Sequence, residues 1–129
     1  MRRAQKAALQ VVTIILVLAA LAFEAGCGKQ VAVERETTGK PAVLDFWQPG
    51  CPPCDAMEPL LEQLEEEYGG RVDFFSYNVY EAWEEAESYG IRATPTFIFL
   101  DTGGKEVSRL LGKQSMDTMR SHIEKALKE

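Results

Sequence analysis

Apolar positions fall into two kinds of run along the chain. Val43-Leu44-Asp45-Phe46-Trp47 is short and almost wholly apolar, which is the pattern of a buried strand. Val72 to Val79 gives a second strand with Phe74 and Phe75 as core residues, and Thr96 to Leu100 gives a third, the most apolar of the set. Thr102-Gly103-Gly104-Lys105 is a hairpin turn, and Glu106 to Leu111 is its return strand, ended by Gly112. Between these runs the spacing changes to threes and fours. Met57, Leu60, Leu61, Leu64 and Tyr68 predict a helix over residues 51–68, with a kink at Pro59 and a stop at Gly69-Gly70. Glu58, Glu62, Glu65, Glu66 and Glu67 take mostly its other faces and read as a solvated surface. Ala82, Ala86 and Tyr89 mark a short acidic helix, with Trp83 packing beside it. Met116, Met119, Ile123 and Leu127 mark a last helix capped by Ser115. The order is β-α-β-α-β-β-α. Helices joining the first strands imply parallel pairing and the hairpin implies an antiparallel pair, so the expected fold is α/β, a central mixed sheet flanked by helices.

The first 27 residues follow a different pattern. Arg2, Arg3 and Lys6 precede an apolar stretch, Ala7 to Phe23, broken only by Gln10 and Thr13. As a helix it would be about 26 Å long, slightly short of a bilayer core. It reads as a signal peptide or short anchor, with the following chain exported. Ala25-Gly26-Cys27 resembles the end of a bacterial lipoprotein signal, which makes Cys27 a candidate for lipidation. Glu24 departs from the aliphatic residue usual at that place, and an uncleaved anchor is the alternative. Either arrangement tethers the rest to the outer face of a membrane, in a bacterial cell envelope. Residues 28–40 are a polar linker, and the folded domain is expected over residues 41–129.

Charge removes one class of partner. The whole chain carries −6, and because Arg2, Arg3 and Lys6 outweigh Glu24 by two, residues 28–129 carry −8. An acidic domain without a basic patch is a poor nucleic-acid binder. A monomer is expected.

Chemistry concentrates in Trp47-Gln48-Pro49-Gly50-Cys51-Pro52-Pro53-Cys54. A cysteine that opens a helix feels the free N–H groups and positive end of its first turn, which favour thiolate and make Cys51 the more nucleophilic sulfur. Cys54 lies one turn on, close enough to close a disulfide. The spacing alone also suits zinc. Asp45, inside a buried run, is expensive unless it faces solvent from an edge strand or is kept for proton transfer. His122 stands far from this stretch and reads as a packing or surface residue.

Residues from about Pro41 to Leu127 resemble the thioredoxin family. The resemblance rests on Val43-Leu44-Asp45-Phe46-Trp47 before a CxxC, on Pro59, and on Gly90-Ile91-Arg92-Ala93-Thr94-Pro95-Thr96, similar to the family's cis-proline loop. Gly112 also falls where the family has a glycine. It implies a minimal thioredoxin-like fold and a thiol–disulfide oxidoreductase. Cys51 would attack, Cys54 would resolve, and Asp45 would move a proton to or from Cys54. Pro95 would be cis against the pair, the Thr94 backbone would pair with the substrate chain, and Trp47 would wall the site. No cofactor beyond the redox-active pair is implied. Partners would be protein disulfides and an electron donor in the membrane or of thioredoxin type. Departures are Gly50 where the family has Trp, Pro52-Pro53 between the cysteines, Asp55 where a basic residue is common, and no lysine near Ser76. With few groups able to stabilise the Cys51 thiolate, a reductase is the expected direction. The rival reading is a binding module or Cu(I) chaperone using the same cysteines, with no closed metal site in the sequence.

Overall fold

A computed structural model of the chain describes residues 38–129. The basic and apolar segments over residues 1–27, Cys27 among them, and the linker as far as residue 37 lie outside the described residues. The elements are β1 (Ala42–Trp47), α1 (Pro52–Asp55), α2 (Glu58–Tyr68), β2 (Asp73–Asn78), α3 (Trp83–Ser88), β3 (Thr96–Leu100), β4 (Glu106–Leu111) and α4 (Met116–Ala126). Among the described residues no helix is long and apolar enough to cross a membrane.

The four strands form one mixed sheet in the order β2-β1-β3-β4. β1 pairs parallel with β2 and antiparallel with β3, and β3 pairs antiparallel with β4. Period-2 alternation along β1 divides the core in two. Val43 joins Phe97, Phe99, Met57, Leu64, Met119 and Ile123 on the face covered by α2 and α4. Leu44 and Phe46 join Ile98, Leu100 and Ala86 on the face covered by α3. Phe46 stacks on Tyr77 at 5.1 Å between ring centroids. All five residues of β3 are buried, because it lies inside the sheet and is covered on both faces.

The expected parallel pairing holds for β1 and β2 and fails for β3. A parallel β3 would start at the end of the sheet where β1 and β2 begin, but the segment after α3 is held at the other end, where the Tyr89 ring lies 5.7 Å from that of Phe46. The chain instead crosses over at the end where β1 and β2 finish, so Thr96 at the start of β3 lies opposite Phe46.

The predicted single helix over residues 51–68 is two helices. Pro59 has no N–H to offer the Asp55 carbonyl, and its ring crowds the preceding turn. The Met57 N–H closes a tight turn on Cys54 O at 2.9 Å, and Leu60 and Leu61 both donate to Met57 O, at 3.0 and 2.9 Å. Met57 itself is buried, and its Sδ accepts from the Gln114 N–H at 3.2 Å. The break is therefore packed into the core. At the other end of α2, a side chain on Gly69 would bring its Cβ within 2.5 Å of Glu65 O, which requires glycine there.

Two aromatic expectations are corrected. Phe75 is 36% exposed because β2 is an edge of the described sheet and Phe75 points away from Phe74. Trp83 does not pack: it is 58% exposed at the first position of α3, whose buried face is carried by Ala86.

These contrasts fix an expected outcome. Leu64→Ala should lower stability by about 3 kcal/mol, as for a fully enclosed leucine, whereas Trp83→Ala should stay within about 0.5 kcal/mol of the parent. Urea unfolding of both variants checks this, and a large loss in Trp83→Ala would contradict the packing described.

Candidate active site around Cys51 and Cys54

Everything that converges on the cysteines comes from one end of the sheet. Trp47 ends β1, and its carbonyl accepts from the Val79 N–H at 2.9 Å, just beyond β2. Gln48 and Pro49 carry the chain off the sheet, and Gly50 turns it in the left-handed region at φ +69. Cys51 then occupies the N-cap of α1, in extended geometry at φ −110. Pro52 and Pro53 fill the first helical positions, where missing N–H groups leave no bond unmade. The first free donor is the Cys54 N–H, which reaches Cys51 Sγ at 3.3 Å. Cys51 and Cys54 form a disulfide, with Cα atoms 5.2 Å apart. Both are buried.

The loop before β3 closes over this pair. The Thr94–Pro95 bond is cis and Pro95 is buried. The Thr94 hydroxyl lies 3.7 Å from Cys51 Sγ, and the Thr94 carbonyl oxygen lies 3.9 Å from it. In the disulfide Cys51 has no proton to donate to that carbonyl; the reduced thiol does. The loop is held from both sides. Thr96 Oγ1 donates to Ala93 O at 2.7 Å, and the Gly112 N–H donates to Pro95 O at 2.8 Å, with Gly112 at φ +78.

Asp45 lies in β1, which is paired on both edges, so the edge-strand reading is excluded. It sits on the α2 face, opposite Ser76 in the register with β2. A cleft of about 370 Å³ opens there, lined by Asp45, Trp47, Cys54 and Ser76 together with α1 and α2 residues. Burial pushes the Asp45 carboxyl up from 3.8 to about 6, against a smaller opposing effect of its hydrogen bond with Ser76. Its protonation therefore changes near neutrality, in the same cleft as the Cys54 sulfur.

The structure thus brings Asp45, Trp47, Cys51, Cys54, Thr94 and Pro95 to one end of the fold, while Cys27 lies outside the described residues. His122 is elsewhere. Its Nδ1 pairs with Ser108 Oγ at 2.8 Å and its ring tilts against Phe99, which lies opposite Val43 near the start of β1. Burial, then Lys125, lowers its pKa. Two features escape the sequence reading. The Thr94 side chain, beyond its backbone, approaches the sulfur. Asp55, Glu58, Glu62 and Glu65 line the cleft rather than only facing solvent. Their spacing of three and four was the available signal for a shared stripe. Among the described residues no three His, Cys, Asp or Glu side chains converge to hold a metal ion.

Comparison with known proteins agrees with this geometry. The Thioredoxin family model matches residues 29–125. A chloroplastic M-type thioredoxin of Spinacia oleracea is 34% identical over 99 residues, which is 77% of this chain and 52% of that protein. A thioredoxin of Synechocystis sp. is 34% identical over 87 residues, covering 67% of this chain and 80% of the relative. One of Alicyclobacillus acidocaldarius is 36% identical over 84 residues, covering 65% and 79%. The chain spans about half the length of the chloroplastic relatives it matches.

The Asp45 environment makes a pH-dependent contribution to stability. Below about pH 4 the carboxyl is protonated both folded and unfolded. Between about 4 and 6 the unfolded chain ionises first, so stability falls as pH rises, and above 6 the full penalty remains. Asp45→Asn in the disulfide form should gain about 2 kcal/mol more at pH 7.5 than at pH 4, after allowing for partial exposure. Guanidinium unfolding at both pH values measures it; an equal effect at both would show that burial does not hold the proton.

Proposed function

The chain belongs to the thioredoxin family, and from that premise we propose that it is a thiol–disulfide oxidoreductase, acting as a membrane-tethered reductase of protein disulfides outside the cytoplasm. The observation that carries the reading is the Cys51–Cys54 disulfide, closed at the start of α1 beneath Thr94 and Pro95.

In the reduced protein the Cys51 thiolate attacks one sulfur of a substrate disulfide. A Cys51–substrate bond forms, the substrate S–S bond breaks, and the departing thiolate takes a proton from solvent. Cys54 then gives its proton to the Asp45 carboxylate and attacks Cys51 Sγ. The second substrate sulfur leaves, and two electrons have passed from the pair to the substrate. Asp45 suits this step because its proton affinity, near 6, lies closer to that of a thiol than an exposed carboxylate's. Trp47 forms a wall of the cleft, and the Thr94 backbone is positioned to pair with the substrate chain. No organic cofactor takes part; a donor in the membrane or of thioredoxin type re-reduces the pair.

The proposed reducing direction is supported by what surrounds Cys51. Its sulfur has the Cys54 N–H and the more distant Thr94 hydroxyl as donors. α1 is a single turn, so the sulfur gains little from a longer helix dipole. Asp55 and Glu58 add negative charge nearby. A thiolate stabilised this weakly makes the dithiol a better electron donor. The tether reading is supported by Arg2, Arg3 and Lys6 ahead of the apolar run to Phe23, and Cys27 is the proposed lipidation point.

The full-length chain should accelerate dithiothreitol-driven reduction of insulin. Cys51→Ser should abolish this, by at least about a hundredfold, whereas Cys54→Ser should retain attack and accumulate stable mixed disulfides visible on non-reducing gels. Equal trapping by both variants would reverse or erase the assigned roles.

A further inference from the structure

The cleft beside Asp45 and Cys54 has a wall that the exchange chemistry does not require. Its inner surface is apolar, from Trp47, Leu61 and Phe74, and its outer wall carries Asp55, Glu58, Glu62 and Glu65. No Lys, Arg or His lines it. Lys40 and Arg120 pair with carboxylates outside this lining, Asp73 at 3.8 Å and Glu67 at 2.9 Å. The space, about 370 Å³, is far larger than a metal ion, and the carboxylates do not converge on one point. An apolar inner surface under an anionic rim matches a group with an aliphatic stem and a cationic head.

We propose that this cleft receives a lysine or arginine side chain of the protein whose disulfide the pair reduces, so that substrates with a basic residue close to the reacting cysteine are preferred. The identity of the partner rests on the oxidoreductase reading; the binding of a cationic side chain by the cleft does not. The stem lies along Leu61 and Phe74, and the head meets the carboxylates of Glu62 and Glu65.

Two measurements on the full-length chain test this. The first compares reduction of two disulfide peptides that differ only in lysine against norleucine beside the cysteine. The parent should prefer the lysine peptide by about tenfold in kcat/KM, and the ratio should fall towards one in Glu62→Gln/Glu65→Gln and at high salt. A ratio near one in the parent, or an undiminished ratio in the variant, overturns the proposal. The second follows amide NMR shifts of the disulfide form on addition of the lysine peptide with its cysteine replaced by serine. Shifts should cluster at Leu61, Glu62, Glu65 and Phe74, and the norleucine peptide should not produce them. Shifts elsewhere, or displacement of the peptide by millimolar magnesium as a tighter occupant, overturn it. If neither peptide is reduced at all, the oxidoreductase reading fails while the shifts still decide the cleft.

Discussion

Because β1 is paired along both edges, its last two residues are fixed relative to β2 and β3 at once, Phe46 opposite Thr96 and Trp47 opposite Asn78. That constraint places the chemistry. Trp47 releases the chain towards Cys51, and its carbonyl holds the exit of β2 through the Val79 N–H. The segment after α3 is held at the same end, with Tyr89 against Phe46, so the chain enters β3 there and Thr94 and Pro95 arrive over the sulfur released by β1. A longer α3 that returned the chain to the other end would separate the loop from the cysteines by the length of a strand. The same central pairing keeps Asp45 from the edge of the sheet and makes its burial costly.

Much of this was legible in the residues. The apolar runs found β1 and β3, because strands covered on both faces leave an almost unbroken apolar signature, the aromatic pair found β2, and the turn residues found β4 as the return of the hairpin. The CxxC, the buried aspartate and the Thr94-Pro95 loop were found because each is a local motif. What failed was not local. The direction of β3 depends on where the segment after α3 packs, with Tyr89 against Phe46, which no periodicity reports. Phe75 has the composition of a core residue and the position of an edge residue. Trp83 lies next to the apolar stripe in sequence, yet it is exposed at the start of α3. Pro59 signalled an irregularity, but a kink and a complete break differ by packing at Met57, which is buried against Gln114 from a distant part of the chain.

The balance of charge gives the site its character. Around the cysteines the described residues supply two hydrogen-bond donors to Cys51 Sγ, several carboxylates along the adjoining cleft, and no cation on its walls. Such surroundings stabilise a thiolate only modestly, and burial raises the proton affinity of Asp45. The proposed reducing direction rests on the first of these, and the absence of a lining cation leaves a place for positive charge to be brought by a partner. The break between α1 and α2 adds to this by limiting the helix behind Cys51 to one turn.

Equilibration of the full-length chain against glutathione buffers tests this account most directly, with the reduced fraction of the Cys51–Cys54 pair read by alkylation and mass spectrometry. The account predicts that the pair stays a disulfide until the glutathione is kept overwhelmingly reduced, as befits a weakly stabilised thiolate. A pair that remains reduced while glutathione is substantially oxidised would mark a strong oxidant and contradict it.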